Sequence, residues 1–326
     1  MTTLKDVANR AGLSVSTVSY VLNGKKKVRE DTYRRIMQAV EEVGYVPNQQ
    51  ARSLKTRSTL SIGVVVPDIS NQFFPEIVKG IDDAANMDNY TIILCNTDND
   101  AEREERCINA LLSKDIDGII YIGTAKSKAI LQRKTELPIV LVDRKLGERY
   151  ISVTTNNYQG GYMATEHLIH TGHSSIALIT GPVFITTYFD RLRGYMDALN
   201  ANSLHYSEEL VFECDFTSKS GYDAAYRLCE QNVQVDAIFA TNDLMALSII
   251  RALLELGKKV PEDIAVVGYD DIYIASIVMP ALTTIRQPKY EMGKKAAELL
   301  IKAIHKEEIT QRQIEMTPTL IVRETT

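Results

Sequence analysis

Nothing in this chain looks built for a membrane. No run of about 18 apolar residues occurs in its 326 positions, and no basic stretch followed by an apolar one opens it. Neither insertion nor export is indicated, and a cytoplasmic protein without membrane contacts is expected. Cysteine is sparse. Cys95, Cys107, Cys214 and Cys229 lie far apart with no Cys-x-x-Cys pair, so free thiols in a reducing compartment are the simplest account. Catalytic signatures are missing as well: neither Gly-x-Ser-x-Gly nor Gly-x-x-x-x-Gly-Lys-Ser/Thr is present, and Gly160-Gly161 is not a dinucleotide fingerprint. No enzyme and no cofactor are expected. His167, His170 and His173 recur at spacing three, but they lie on and just after one helical segment with only Glu166 as a nearby carboxylate, and they read as structure rather than a metal site. Asp98-Asn99-Asp100 starts like a calcium loop but lacks the glycine and closing glutamate.

What is present divides into two unequal parts. In residues 1 to 60, eleven Lys and Arg stand against five Asp and Glu, whereas the remaining chain carries 26 against 37. A basic end on an acidic body suits a small nucleic-acid-binding head attached to a domain with another task. Within that end, Thr3 and Asp6 form a capping-box-like start, after which Leu4, Val7, Ala8 and Ala11 share one helical face. Gly12 stops the helix. Ser14 can cap a second helix from Val15 to Leu22, in which Val18, Val21 and Leu22 turn inward while Val15, Ser16, Thr17 and Tyr20 face out; Asn23 and Gly24 end it. A helix with an apolar back and small polar residues at its exposed N-terminal end can enter a major groove and offer hydroxyls to base edges. The spacing predicts a helix-turn-helix.

From Leu60 the pattern changes. Short β-branched runs, SIGVVVP at 61, TIILCN at 91, GIIYIG at 118, PIVLVD at 138, IALITG at 176, AIFATN at 237 and IAVVGYD at 264, alternate with segments of helical period at 75 to 88, 101 to 113, 159 to 171, 190 to 200, 219 to 231, 243 to 256 and 289 to 305. Buried parallel strands with crossover helices follow, long enough for two doubly wound α/β lobes. Ligands of such sheets sit beyond the carboxyl ends of the strands. There the sequence places Asn71, Phe73, Phe74, Asp143, Arg144, Asn242, Asp243, Asp270 and Asp271. Carboxylate, guanidinium and amide groups with flat rings suit a small polyhydroxylated ligand. Asp243 is better placed to cap its helix than to touch a ligand, and either Phe alone could be core.

These motifs together resemble the LacI/GalR family of transcriptional regulators over the whole chain. The resemblance rests on TLKDVANRAGLSVSTVSYVLNG, GYVPNQQARSLK, IGVVVPDISNQFF, DGII, GGYMATEHLIHTGHSSIALITGP, TNDLMA, VPEDIAVVGYDDI and ALTTIRQP. It implies a three-helix headpiece over residues 1–46, a hinge helix and linker over 47–60, and a periplasmic-binding-protein-like core over 61–326. Lobe 1 would cover about 61–157 plus 287–320, and lobe 2 about 158–286. Such regulators work as homodimers on pseudo-palindromic double-stranded operator DNA, often as ligand-controlled repressors. The DNA-contacting set so implied is Thr3, Lys5, Ser14, Val15, Ser16, Thr17, Ser19, Tyr20, Asn23, Asn48, Ala51, Arg52, Leu54 and Lys55, with Val15, Ser16 and Tyr20 reading bases and Lys5 and the lysines at 25 to 27 meeting phosphates.

The ligand set is implied in the same way. Related ribose-binding proteins hold their sugar with residue types that occur here as Asn71, Phe73, Phe74, Asp143, Arg144, Arg191, Phe216, Asn242, Asp270 and Gln287, with Thr187 or Tyr188 trimming specificity. The set and the run PALTTIRQPKYEMG are most similar to those of the ribose-responsive repressors, so a sugar effector, ribose, that relieves operator binding is expected. Two alternatives stand beside this: a carbon catabolite regulator driven by a phosphorylated carrier protein, and a sugar-binding protein with no DNA role. The chain departs from the family at Tyr20, where Arg is common, and at Gln72, where Asn-Pro-Phe-Phe is usual.

The segment from Pro47 to Lys55 is too short and too polar to hold a helix alone, so it should fold only when two copies meet over the minor groove. Leu54 is its apolar wedge, and Ala51 permits close approach. Leu54→Ala should lower operator affinity by roughly tenfold, on the order of 1.4 kcal/mol, and reduce DNA bending, while sugar affinity of the free protein stays unchanged. Bending equal to wild type in a fluorescence or ligation assay would refute the wedge.

Overall fold

Two amides and a hydroxyl set the first turns of the chain. The computed structural model describes residues 2–22, 28–45, 58–123, 137–215, 217–230 and 234–326, in two units that divide after Thr59. In the first unit, Thr3 donates through its amide and its hydroxyl to Asp6 Oδ2, at 2.8 and 2.7 Å, and opens α1 (Leu4–Ala11). Gly12, at φ +64°, ends it, and the Leu13 amide returns to the Ala8 carbonyl. Ser14 Oγ then accepts from the Thr17 amide at 3.1 Å and caps α2 (Val15–Leu22). The third helix, α3 (Glu30–Glu42), closes over both: Ile36 and Ala39 pack with Val7, Ala8, Ala11, Val18 and Val21, and Arg35 Nη2 donates to the Ala11 carbonyl at 2.6 Å. Asn23, Gly24, the lysines at 25 to 27 and the hinge segment 47 to 55 lie outside the described residues.

The second unit is two sheets. The first takes β1 (Ser61–Val66), β2 (Thr91–Asn96), β3 (Gly118–Tyr121), β4 (Ile139–Val142), β5 (Ile151–Thr155) and β11 (Gln313–Met316) in the order β11-β5-β4-β3-β1-β2, every ladder parallel. Helices α4 (Phe73–Met87), α5 (Ala101–Leu112) and α10 (Lys289–Ile304) belong to this lobe. The other sheet takes β6 (Ile176–Thr180), β7 (Val211–Glu213), β8 (Ala237–Ala240), β9 (Ala265–Asp270), β10 (Thr283–Arg286) and β12 (Thr319–Ile321) in the order β12-β10-β9-β8-β6-β7. Its ladders are parallel except that β12 runs against β10. Helices α6 (Asn157–His170), α7 (Thr186–Ala201), α8 (Ser218–Glu230) and α9 (Asp243–Glu255) accompany it. Both sheets are doubly wound, and each reverses its winding beside its first strand, which is where such folds open a ligand crevice. Among the described residues, no helix is long and apolar enough to cross a membrane.

The expected helices are present in both lobes; the strands exceed expectation. Runs of apolar β-branched residues signal β1 to β4, β6, β8 and β9. They pass over β5, whose ISVTT is wholly buried yet three-fifths hydroxyl-bearing, and the short strands β7, β10, β11 and β12. The expected lobe boundaries need one correction. Because β12 pairs with β10, the chain passes between the lobes a third time after β11, so Thr319 and Leu320, at the expected end of lobe 1, belong with lobe 2.

Lobe 1 owes its helix layer to two glycines. A Cβ on Gly80 of α4 would lie 2.1 Å from the Tyr290 carbonyl oxygen, and one on Gly293 of α10 would lie 2.0 Å from that of Ile77. The two helices therefore cross backbone to backbone. Gly80→Ala should force them apart at a net cost of about 1–3 kcal/mol, since the roughly 1 kcal/mol gained in helix propensity recovers only part. Urea unfolding of the full chain measures it, and an unchanged midpoint would contradict the close crossing.

Candidate ligand pocket and nucleic-acid interface

The face of α2 that turns away from α1 and α3 carries Val15, 43% exposed, and Tyr20, 50% exposed, with Ser16 exposed beside them. Ser14, Ser16 and Thr17 join their hydroxyls in one chain, with Ser14 Oγ 3.0 Å from Ser16 Oγ and 2.7 Å from Thr17 Oγ1. This orders the hydroxyls before any outside partner arrives. Thr3 and Lys5 are exposed at the start of α1, and Ser19 is half-buried. The other expected DNA contacts, Asn23, Asn48, Ala51, Arg52, Leu54 and Lys55, lie outside the described residues.

Between the two lobes of the core lies a cavity of about 260 Å³. Asn71, Phe73, Phe74, Asp143 and Arg144 line it from lobe 1, Thr187, Tyr188, Arg191, Asn242 and Asp270 from lobe 2, and Gln287 from the connecting segment after β10. Phe216 is outside the described residues, although Thr217 and Ser218 reach the wall. Each lining group is held by the fold. Asn71 Oδ1 accepts from the Phe73 amide at 3.0 Å and starts α4, which sets Phe73 and Phe74 edge to face, 5.1 Å between centroids. Phe73 is also part of the lobe's core, so its two readings, core and wall, both apply. Asn242 caps α9 by accepting from the Met245 amide at 2.8 Å. Asp243 does not cap that helix as expected; fully buried, it accepts from Thr284 Oγ1 at 2.6 Å and from the Ile272 amide at 2.8 Å, tying α9 to the loop after β9. Thr187 Oγ1 donates across the cleft to the Asp143 carbonyl at 3.1 Å.

Arg191 is the most constrained member. It is 3% exposed, its Nε donates to Asn157 Oδ1 at 2.9 Å, its Nη1 donates to the Thr241 carbonyl at 2.5 Å, and its guanidinium lies 3.6 Å above the Tyr269 ring. Sequence reasoning missed Asn157, Thr241 and Tyr269. The one trace they leave is Gly160-Gly161: a Cβ at Gly160 would come 2.2 Å from the Tyr269 hydroxyl, and one at Gly161 would come 2.3 Å from the Arg191 carbonyl oxygen. The glycine pair makes room for this stack.

The pocket acids are set against their solvent preference. Burial pushes Asp143 up from the ordinary carboxylate range, with Arg191 and Arg144 pulling it back. Burial likewise pushes Asp270 up to about 6, with Arg191, Gln287 and Lys289 opposing and Asp143 adding. Both acids occupy left-handed backbone, at φ +60° and +116°, where non-glycine residues are uncommon. Asp143 Oδ1 and Gln287 Oε1 are buried acceptors with no hydrogen-bond partner among the described residues. Burial takes Tyr188, which also borders the cavity, to about 12, so it presents a neutral hydroxyl. Unsatisfied acceptors, a guanidinium and apolar rings around a small volume suit a ring of hydroxyls with C–H faces.

Comparison with known proteins agrees with both halves. Residues 3–48 match the family of bacterial regulatory proteins, lacI family, and residues 59–324 match the periplasmic binding proteins and sugar binding domain of the LacI family. The chain is 40% identical to the HTH-type transcriptional regulator RegA of Clostridium saccharobutylicum, covering 100% of this chain and 99% of that protein. It is 38% identical to the HTH-type transcriptional repressor PurR of Aliivibrio fischeri (99% and 98%) and 36% identical to the ribose operon repressor of Halalkalibacterium halodurans (100% and 97%). Among solved structures it is similar to the lac repressor dimer bound to operator and the anti-inducer ONPF, at 28% identity and TM-score 0.88 over 99% of this chain and 98% of that one. A LacI family regulator from Enterococcus faecium with bound ribose aligns at 32% identity and TM-score 0.73 over 82% and 98%. The chain therefore belongs to the LacI family, and it is a DNA-binding transcriptional repressor with a sugar-binding domain rather than an enzyme.

Proposed function

We propose that this repressor answers to ribose, and that ribose releases it from its operator. The observation that carries the reading is the pair of buried acceptors, Asp143 Oδ1 and Gln287 Oε1, which have no partner among the described residues and border a cavity of about 260 Å³ shared with Arg191 and Asp270. A pentose brings vicinal hydroxyls to such groups and C–H faces to Phe73 and Phe74. The ribose operon repressor among the relatives and the ribose-bound neighbour support the same ligand class. In this reading Val15, Ser16 and Tyr20 read bases from a dimer on a pseudo-palindromic operator in the cytoplasm, and Leu54 wedges the central step. Ribose favours the closed arrangement of the lobes, the operator favours the other, and each lowers affinity for its opposite by the same factor.

Calorimetry of the purified chain with a panel of pentoses, hexoses and purine bases tests the assignment; binding of a purine and of no sugar would overturn it. Arg191→Ala and Asp270→Ala should keep operator binding but lose release by ribose, at a cost of roughly 2–4 kcal/mol in sugar affinity for either. Normal release by Arg191→Ala would remove it from the site. The wild type's ribose affinity should fall as pH drops through about 6, because the Asp270 carboxylate accepts stronger, charge-assisted hydrogen bonds from hydroxyls than the protonated acid does. A flat profile between pH 5 and 8 would contradict that role.

A further inference from the structure

The most heavily buried cation beside the pocket is one that does not line it. Lys289 opens α10, two residues after Gln287, and its side chain is 2% exposed. An ammonium removed from water needs an acceptor for each of its three N–H groups. Nζ finds the carbonyl oxygens of Asp270 at 2.6 Å and Asp271 at 2.7 Å, and Glu76 Oε2 at 3.2 Å. These acceptors come from different lobes. Asp270 ends β9 and Asp271 follows it, both with positive φ, at +116° and +51°, whereas Glu76 sits in the first turn of α4, the helix that starts with Phe73 and Phe74. Gln287 adds a bond from its Nε2 to Asp270 Oδ1 at 2.7 Å.

We infer that Lys289 is the positioning residue of the pocket: by gripping the Asp270 and Asp271 carbonyls and the Glu76 carboxylate, it holds the lobe 2 carboxylate and the lobe 1 rings in one frame for the ligand. The inference rests on the sugar-pocket reading and adds a residue that touches no ligand. A merely space-filling residue at this place would need no charge. A charged one fixes the direction of two carbonyls in strained backbone and keeps a positive potential on Asp270. Asp270 is faced by Arg191 from α7, Asp143 from the end of β4, Asp243 from α9, and Tyr188 and Tyr269, so Lys289 and Arg191 are its two cations against two further acids. Removing one cation leaves Asp270 easier to protonate.

The test uses full-length protein and two variants, Lys289→Met, which keeps the length and loses the charge, and Glu76→Gln, which weakens the third acceptor. The Asp270 carboxyl is titrated by ¹³C NMR without ligand, assigned with Asp270→Asn, and ribose affinity is measured from pH 5.5 to 8.5. Lys289→Met should move both midpoints up by about one pH unit and weaken ribose at pH 7 by more than the roughly twofold that this shift alone accounts for, with Glu76→Gln showing a smaller weakening and operator affinity without sugar unchanged. If Lys289→Met fails to fold, Glu76→Gln still decides the matter through its effect on ribose affinity. Unchanged Asp270 titration in Lys289→Met, or ribose affinity unaltered in both variants, would overturn the positioning role. Absence of ribose binding by the wild type would instead defeat the pocket reading, and the ligand-free titration would then decide for or against Lys289.

Discussion

The placement of one guanidinium governs the core. Arg191 is almost fully buried, and a cation there is tolerated only because Tyr269, Asn157 Oδ1 and the Thr241 carbonyl surround it with a ring face and two acceptors. That arrangement demands close contact between the helices that deliver it. Gly161 on α6 lies against the Arg191 backbone, Gly194 on α7 against the Tyr158 carbonyl, and Gly160 against the Tyr269 hydroxyl. Three glycines thus permit one arginine, and that arginine sets the potential in which Asp143 and Asp270 titrate.

Such a site trades stability for recognition. A carboxyl whose pKa is raised in the folded chain stabilises the fold while protonated, and that contribution is lost as pH rises from the ordinary carboxylate range through the raised value, near 6 for Asp270. At neutral pH the unliganded core holds Asp270 as an ion that burial disfavours, and both acids sit in backbone conformations that non-glycine residues avoid. Hydroxyl donors relieve part of that cost. The acids come from different lobes, Asp143 from the first and Asp270 from the second, so under the proposed function relief is greatest when both engage one ligand, which is the differential interaction a switch requires.

The headpiece works by other means. Among the described residues its buried core has seven members, and local devices carry much of its definition: the Thr3–Asp6 bonds, the left-handed Gly12, the Ser14 cap and Arg35 on the end of α1. All but the last join residues within a few positions of one another. The Ser14 hydroxyl that caps α2 is bonded to those of Ser16 and Thr17 beside the exposed Val15 and Tyr20, so this candidate interface is organised by helix formation itself.

That difference explains what was legible. The caps, the Gly12 stop, the inward and outward faces of α2, the alternating order of helices and strands, and the strand-end positions of Asn71, Asp143, Asn242 and Asp270 all follow from short-range spacing, and the sequence alone determined them. β5 was invisible because its burial is imposed by strands on both sides, not announced by apolar composition, and β12 because it pairs with β10 across more than thirty residues. Asp243 read as a cap because its neighbour's role was one position away; only the loop after β9, brought against α9, gives its carboxylate the Ile272 and Thr284 donors. The stack of Arg191 on Tyr269 and the grip of Lys289 on Asp270, Asp271 and Glu76 joined segments remote in sequence, and the tertiary structure alone decided them. A charged side chain shows in the sequence, but the partners that make its burial possible exist only once the chain has packed.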